Sequence, residues 1–418
     1  MDLSVIILAA GQGTRMRSDL PKVLQPLAGR PLVTHVLDCA AALGAADVAV
    51  VYGHGGDVVR DTCDRDGLRW VLQADQLGTG HAVQQAMPDT PDGNQVLVLF
   101  GDVPLLTAET LERLLAATPQ DAVSILTVDL DDPTGYGRII RDGEDVRGIV
   151  EHKDATERQR AIAEINTGVM IAPATHLQAW LNEIGNDNAQ GEYYLTDVVG
   201  MAVSAGVTVK GIKADNWTEV MGINDKKQLA EAERALQARL VDELMEQGVG
   251  FADPARVDIR GTLTCGKDVF IDVNAVFEGD VSLGDGTHIE SNNLVRDSKL
   301  GAGTVVHSNC HIEGTVTAHN CEIGPFARLR PGAELADNVK IGNFVEVKKS
   351  TIAAGSKVNH LTYIGDTEIG TGVNVGAGTI TCNYDGANKH RTTIGDDASI
   401  GSNVNLVAPV EVGAGATI

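Results

Sequence analysis

The sequence predicts two folds in series: an α/β, Rossmann-like domain followed by a left-handed parallel β-helix of hexapeptide repeats. Three observations carry this. The 418 residues exceed what one hydrophobic core usually organises, so two domains are the starting expectation. Short aliphatic runs alternate with helical patterns through the first half of the chain. Beyond Gly250 an aliphatic side chain instead returns every six residues. Composition agrees with the second pattern: aromatics are only 4% and there are 47 glycines, which suits tight, repeated turns.

In the first half, Val5 to Leu8 is a short aliphatic run ending in Ala-Ala-Gly. Asp47 to Tyr52, Gln95 to Phe100 and Ala122 to Val128 repeat the theme. Helical patterns fall between them, as in Leu32 to Leu43 and Thr107 to Ala117. Aliphatic strands separated by helices indicate a parallel, doubly wound sheet buried on both faces. Residues 224–248 form one helix, with Leu229, Leu236, Leu240 and Leu244 at helical spacing and Gly248 as its stop. The expected division is 1–223 for the first domain, 224–248 for a linker helix and 249–418 for the β-helix.

The six-residue period begins at Ile271, Phe277, Leu283, Ile289 and Val295. After a slip of one it resumes at Leu300, Val306 and Ile312, then at Ile323, Leu329, Leu335, Ile341 and Val347. Ile352, Val358, Ile364, Ile369 and Val375 follow, and Ile394, Ile400, Leu406, Val412 and Ile418 close the series. Neither an α-helix nor a hairpin has this period. A parallel β-helix does, each six residues making one short strand and one turn, with stacked coils burying the core between them. Residues 381–393 interrupt the period and are expected to leave the coil as an excursion.

The net charge of −24 disfavours nucleic acid and anionic membranes as partners, and if the substrates are phosphorylated the few basic residues must be concentrated at the sites. Six scattered cysteines form no CxxC pair, so no zinc site or disulfide framework is expected. The N-terminal apolar run is too short for a signal peptide, and no run approaches the ~20 apolar residues of a membrane span. A cytoplasmic protein is expected.

Small residues after the first strand let backbone amides approach a phosphate, and Arg15 and Lys22 follow as cations. Asp102 sits just past the strand ending at Phe100, at the edge where open α/β sheets bind ligands. The run from Leu8 to Lys22, LAAGQGTRMRSDLPK, resembles the sugar-1-phosphate nucleotidyltransferases. Gln73 to Ala82 is similar to that family's uracil-binding segment. Gly135 to Ile139, Glu151 to Asp154, Glu164 to Gly168 and Gly191 to Asp197 resemble the sugar-binding motifs of one branch. That branch is the bacterial bifunctional uridyltransferase/acetyltransferases acting on N-acetylglucosamine 1-phosphate and glucosamine 1-phosphate, and the likeness extends over essentially the whole chain.

The resemblance implies uridylyl transfer from UTP to N-acetylglucosamine 1-phosphate with release of pyrophosphate. Mg²⁺ would be held by Asp102 and Asn224, and Arg15 and Lys22 would neutralise the triphosphate. The nucleotide sugar would be bound by Leu8, Ala9, Ala10, Gly11, Lys22, Phe100, Gly101, Asp102 and Asn224. Gln73, Gly78 and Thr79 would read the uracil, and Gly137, Glu151 and Asn166 the sugar.

On the solenoid, an isolated His is ordinarily structural or exposed, and His288, His307, His311 and His319 are read so. His360 differs because Arg330, Lys348, Tyr363 and Asn374 occupy nearby coils, and imidazole suits proton removal from an amine. The resemblance implies acetyl transfer from acetyl-coenzyme A to glucosamine 1-phosphate. His360 would be the base, Arg330 and Lys348 would hold phosphate, and Tyr363 and Asn374 would line the sugar pocket. Ala377, Asn383, Tyr384 and Ser402 would contact the coenzyme. Repeats of this kind commonly form homotrimers. The family also continues past the position of Ile418, so acetyl transfer is expected to be impaired in this chain and uridylyl transfer retained. Two other readings compete: a nucleotidyltransferase whose β-helix serves only assembly, and a non-enzymatic scaffold.

Overall fold

The computed structural model describes residues 2–53 and 56–418. They divide into two compact units, residues up to 233 and residues from 234 onward.

The first unit is built on β1 (Leu3–Ala9), β2 (Asp47–Gly53), β3 (Leu68–Gln73), β4 (Gln95–Phe100) and β5 (Val123–Asp129). It adds the hairpin β6 (Arg138–Asp142) and β7 (Asp145–Val150), then β8 (Glu164–Pro173) and β9 (Val209–Lys213). The sheet order is β9-β5-β8-β4-β1-β2-β3, with the hairpin joined to β8. Alternate residues of one strand bury opposite faces. Val5, Ile7, Leu97 and Leu99 pack with α1 (Leu32–Ala42) and α4 (Ala108–Ala117) through Val33, Val36, Leu111 and Leu114. Ile6, Val96 and Val98 pack with α3 (Thr79–Ala86), α5 (Ala174–Glu183) and α6 (Asp197–Ser204). Burial on both sides explains why these strands read as unbroken aliphatic runs. Thr107, at the start of the expected helix, is its N-cap, its hydroxyl accepting from the Thr110 amide at 3.2 Å.

The sheet departs from the all-parallel expectation at β8, which is antiparallel to both β4 and β5. The chain reaches β8 from the β6–β7 hairpin instead of a helical crossover, so its direction is free to reverse. Its register also shifts between Asn166 and Met170. At this bulge Gly168 has φ +92°, and an added Cβ would lie 2.5 Å from the Phe100 ring. Here only glycine fits.

A 21-residue helix, α7 (Lys226–Glu246), begins in the first unit and ends in the second. Asp225 caps it through the amides of Lys227 and Gln228, both at 2.9 Å.

In the second unit all ladders are parallel and stack into three faces, with coils advancing by 17 or 18 residues. Five-residue sides account for the slips read in the sequence. The aliphatic series from Ile271 to Val412 is at most 5% exposed throughout. Thr317 and Thr381 fill the two slots that the series skipped, and both are buried. They turn hydroxyls onto backbone, accepting from Gly301 N at 2.9 Å and Gly365 N at 2.8 Å. Gln237 of α7 caps the first coil: its side-chain amide pairs with both backbone groups of Ile259, at 2.7 and 2.8 Å. The coil carrying the excursion advances by 25 residues, with residues 383–391 outside the strands.

Candidate active site

In the first unit the C-terminal ends of β1 and β4 open onto a cavity of about 360 Å³. Leu8, Ala9, Ala10, Gly11, Lys22, Gln73, Gly78, Thr79, Phe100 and Asp102 line it. The structure thus brings together residues far apart in sequence. Gly101 lies behind the wall, its amide donating to Leu8 O at 2.9 Å. Gln76 and Glu192 also line the cavity and were given no role above. Gln76 lay inside the quoted Gln73–Ala82 run; Glu192 lay in the Gly191–Asp197 run, which pairs with it through Gly80 N to Tyr193 O at 2.8 Å.

After β1 the chain turns tightly. Gly13 adopts φ 61° and ψ 33°, and an added Cβ would stand 2.5 Å from Lys22 Cβ. The loop therefore closes on Lys22. The Lys22 ammonium forms an ion pair with Asp102 and donates to Asn224 Oδ1 at 3.3 Å. Both charged side chains are mostly buried, at 12% and 17% exposure. Asp102 is anchored by its own carbonyl, which accepts from Ile223 N at 2.9 Å and draws Asn224 to the cavity. Arg15 is exposed and lies outside the cavity wall.

The Lys22 ammonium thus sits between side-chain oxygens of Asp102 and Asn224, a pair that could hold a cation. No group of three or more His, Cys, Asp or Glu suited to a metal occurs among the described residues. A carboxylate and an amide oxygen beside the Gly11–Gly13 loop are hard donors of the kind Mg²⁺ takes, and that ion keeps several waters in its shell.

Gly137, Glu151 and Asn166 adjoin one another. An added Cβ on Gly137 would lie 3.3 Å from Glu151 Oε1, and Gly137 O accepts from Asn166 N at 2.9 Å. Burial pushes the Glu151 carboxyl above its usual range, while the Thr196 hydroxyl donates to it at 3.1 Å and opposes the shift. Burial likewise raises Tyr136, with the negative charge of Asp102 adding to it and the positive charge of Arg15 opposing.

On the solenoid, Asn343 pairs in register with His360, His360 O accepts from Gly378 N at 3.2 Å and Ala377 O from Asn403 N at 2.7 Å, so Asn343, His360, Ala377 and Ser402 fall at one corner of successive coils. His360 Nδ1 lies 3.0 Å from Asn343 Oδ1. With that oxygen accepting, Nδ1 carries the proton and Nε2 keeps its lone pair. Lys348 and Tyr363 lie on the adjoining face, Arg330 N donates to Val347 O at 2.9 Å at its edge, and a Cβ added to Gly365 would meet both the Tyr363 hydroxyl and Asn383 Nδ2. Arg330 pairs with Glu346 at 2.8 Å, and contact with Lys389 pulls the Lys348 ammonium below its usual range. Asn383 donates to Asp366. Lys389 and Asp366 complete this group and were not singled out from the sequence, since one lies in the excursion and the other in a turn. Asn374 lies apart, exposed on the preceding face beside Lys357 and Ser399. Tyr384 projects from the excursion, 60% exposed, its hydroxyl donating to Gly386 O at 2.6 Å.

Next to the His360 corner runs an apolar ridge. Phe326, Phe344 and Leu361 are 49%, 54% and 64% exposed, and all have positive φ. The two rings stack with centroids 5.3 Å apart.

Comparison with known proteins agrees with this architecture. A model of the MobA-like NTP transferase domain matches residues 5–164. Bifunctional protein GlmU of Azoarcus sp. (strain BH72) is 59% identical over 418 residues, spanning 100% of this chain and 92% of that protein. Its counterparts in Aromatoleum aromaticum and Acinetobacter baumannii (strain ACICU) are 57% and 55% identical, each over 100% of this chain and 92% of their own length.

Proposed function

The chain belongs to the family of bifunctional protein GlmU, and from that premise we propose how its residues divide the synthesis of UDP-N-acetylglucosamine. It is a bifunctional enzyme with a nucleotidyltransferase domain and an acetyltransferase β-helix. One observation carries the residue assignment: Lys22, Asp102 and Asn224 converge at a cavity walled by Leu8–Gly11 and Gln73–Thr79.

In the first unit a phosphate oxygen of N-acetylglucosamine 1-phosphate attacks the α-phosphorus of UTP, and pyrophosphate leaves. The nucleophile is already an anion, so no base is required, and the protein supplies position and charge neutralisation. Backbone amides of Ala10 and Gly11 face the nucleotide. Lys22 neutralises the triphosphate, with Arg15, exposed outside the cavity wall, as a second cation. Gln73, Gly78 and Thr79 hold the uracil; Gly137, Glu151 and Asn166 hold the sugar. Asp102 and Asn224 would hold Mg²⁺, which when bound would shield phosphate charge.

On the β-helix, the amine of glucosamine 1-phosphate attacks the thioester carbonyl of acetyl-coenzyme A. His360 Nε2 takes the amine proton and returns it to the departing sulfur, so the coenzyme leaves as its thiol. Arg330 and Lys348 bind the phosphate, Tyr363 the sugar, and Ala377, Asn383, Tyr384 and Ser402 the coenzyme; Asn374, on the preceding face, joins the sugar pocket only across a subunit boundary of a trimer. The alignment of His360 with Ala377 and Ser402 up one corner supports a thioester lying beside the base. This cluster favours a catalytic β-helix over one serving assembly alone.

The ridge of Phe326, Phe344 and Leu361 supports assembly into a homotrimer. Aromatic residues with positive φ cost about 1–2 kcal/mol each, a strain that a buried interface offsets. The acidic surface favours small-molecule partners over nucleic acid or membrane, and six free cysteines suit the reducing cytoplasm.

The test is a pair of variants assayed for both activities. Asp102→Ala abolishes pyrophosphate release from UTP and leaves acetyl-coenzyme A consumption at the level of the unsubstituted chain, and His360→Ala removes that consumption and leaves pyrophosphate release. Loss of both activities in either folded variant refutes the assignment.

A further inference from the structure

Gln73 ends β3 and is 3% exposed, so its side-chain amide has little room to turn. Its Nε2 lies 3.2 Å from Gly78 O and 3.0 Å from His81 Nδ1. A backbone carbonyl can only accept, so the –NH₂ end of the amide must face Gly78. His81 Nδ1 must then accept as well, which puts the imidazole proton on Nε2; Gln85 Nε2 stands 3.1 Å from that nitrogen, so the half-buried Gln85 amide has to turn its oxygen to the ring, giving up a 3.4 Å contact with His81 O. The ring is steadied against Tyr193, with centroids 6.4 Å apart. Both amide hydrogens of Gln73 are thus engaged on the protein side. Its carbonyl oxygen accepts no hydrogen bond among the described residues, and Gln73 lines the cavity.

We propose that His81 is a specificity-determining positioning residue: it locks the Gln73 amide with its carbonyl toward the cavity, so that the site selects uracil over cytosine. This rests on the reading that the cavity receives the base of UTP. The two pyrimidines differ at ring position 3. Uracil carries an N–H there, which a carbonyl oxygen accepts. Cytosine presents a lone pair, which meets the Gln73 oxygen as acceptor against acceptor and leaves both unpaired. An amide turned by half a rotation would reverse the preference, offering –NH₂ to cytosine. Two acceptors, Gly78 O and His81 Nδ1, oppose that turn. Without the imidazole, Gly78 opposes it alone. His81 acts through Gln73, and the readout is the ratio between two substrates, which a merely structural role leaves unchanged.

The experiment uses the full chain and measures kcat/KM for pyrophosphate release with UTP and with CTP. His81→Phe keeps a ring against Tyr193 and removes the acceptor; its UTP-over-CTP preference falls about three- to tenfold, the worth of one hydrogen bond. His81→Gln, whose polar atoms reach the Nε2 position instead, gives the same fall and serves if the Phe variant is unstable. His81→Asn places an oxygen at the Nδ1 position and retains the preference. In a Gln73→Ala background the preference is lost and His81→Phe changes it no further. If Gln73→Ala lowers the preference while His81→Phe and His81→Gln leave it intact, the proposal is overturned and the uracil site stands. Equal losses for UTP and CTP in the His81 variants overturn it too. If Gln73→Ala leaves the preference untouched, the assignment of the base pocket falls, and the proposal with it.

Discussion

Gly13→Ala isolates what the loop after the first strand does. Gly13 has φ 61°, where an L-residue with a side chain loses about 1–2 kcal/mol. The added Cβ would also stand 2.5 Å from Lys22 Cβ and 3.4 Å from Lys22 Cα. Ordinary carbon–carbon contact is about 3.5–4.0 Å, so something must move by about 1 Å. The obstructing atoms lie at the root of Lys22, not at its flexible end, so a rotamer change gives no relief. The ammonium is held by Asp102 and Asn224, and a displaced root pulls it off both oxygens. A misplacement of about 1 Å at a catalytic group costs on the order of a hundredfold, so kcat/KM for pyrophosphate release should fall about 30- to 100-fold. The backbone strain should lower the melting temperature of this domain by about 2–6 °C, while acetyl transfer is unchanged. Gly13→Asn separates the two effects: asparagine tolerates the left-handed region better, so its melting loss is smaller, but its Cβ meets Lys22 equally and its kinetic loss is the same. A Gly13→Ala enzyme within about threefold of wild type would refute this account of the loop.

Three further outcomes follow from the same structure. Lys22→Ala lowers kcat/KM with UTP by at least about tenfold and shifts the melting curve little, because the side chain neutralises phosphate and its loss leaves Asp102 open to solvent through the cavity; unchanged kinetics would reduce Lys22 to a surface charge. Glu151→Gln melts higher than wild type at pH 7 but binds the sugar phosphate more weakly. Burial raises the folded-state pKa of Glu151, so ionisation destabilises the native state as pH rises through that value, and the advantage of Gln vanishes below the unfolded carboxyl's pKa of about 4.3; a pH-independent difference in melting would contradict this. Phe344→Glu lowers the molar mass measured by light scattering to that of smaller species and reduces acetyl transfer more than pyrophosphate release; an unchanged mass would remove the ridge as an interface.

Much of this was legible in the residues because it rests on local or periodic causes. Strands buried on both faces must be aliphatic throughout, so Val5–Leu8 and Gln95–Phe100 announce themselves. A stacked coil needs an inward side chain at each strand, so the six-residue period is written out from Ile271 onward, and its slips mark the 17-residue coils. Thr317 and Thr381 escaped that reading because they satisfy the same slots with a methyl inward and a hydroxyl on backbone. The reversal of β8 escaped it because strand direction leaves no trace in an aliphatic run. The candidate site was legible wherever residues sit on one continuous loop, as from Leu8 to Lys22. What only the tertiary structure decided are the meetings across sequence: Lys22 with Asp102 and Asn224, His81 with Gln73, and Lys348 with Lys389. Residue type determines what a side chain can do, but hydrogen bonds and charges act over a few ångströms, and only the folded chain sets which groups come that close.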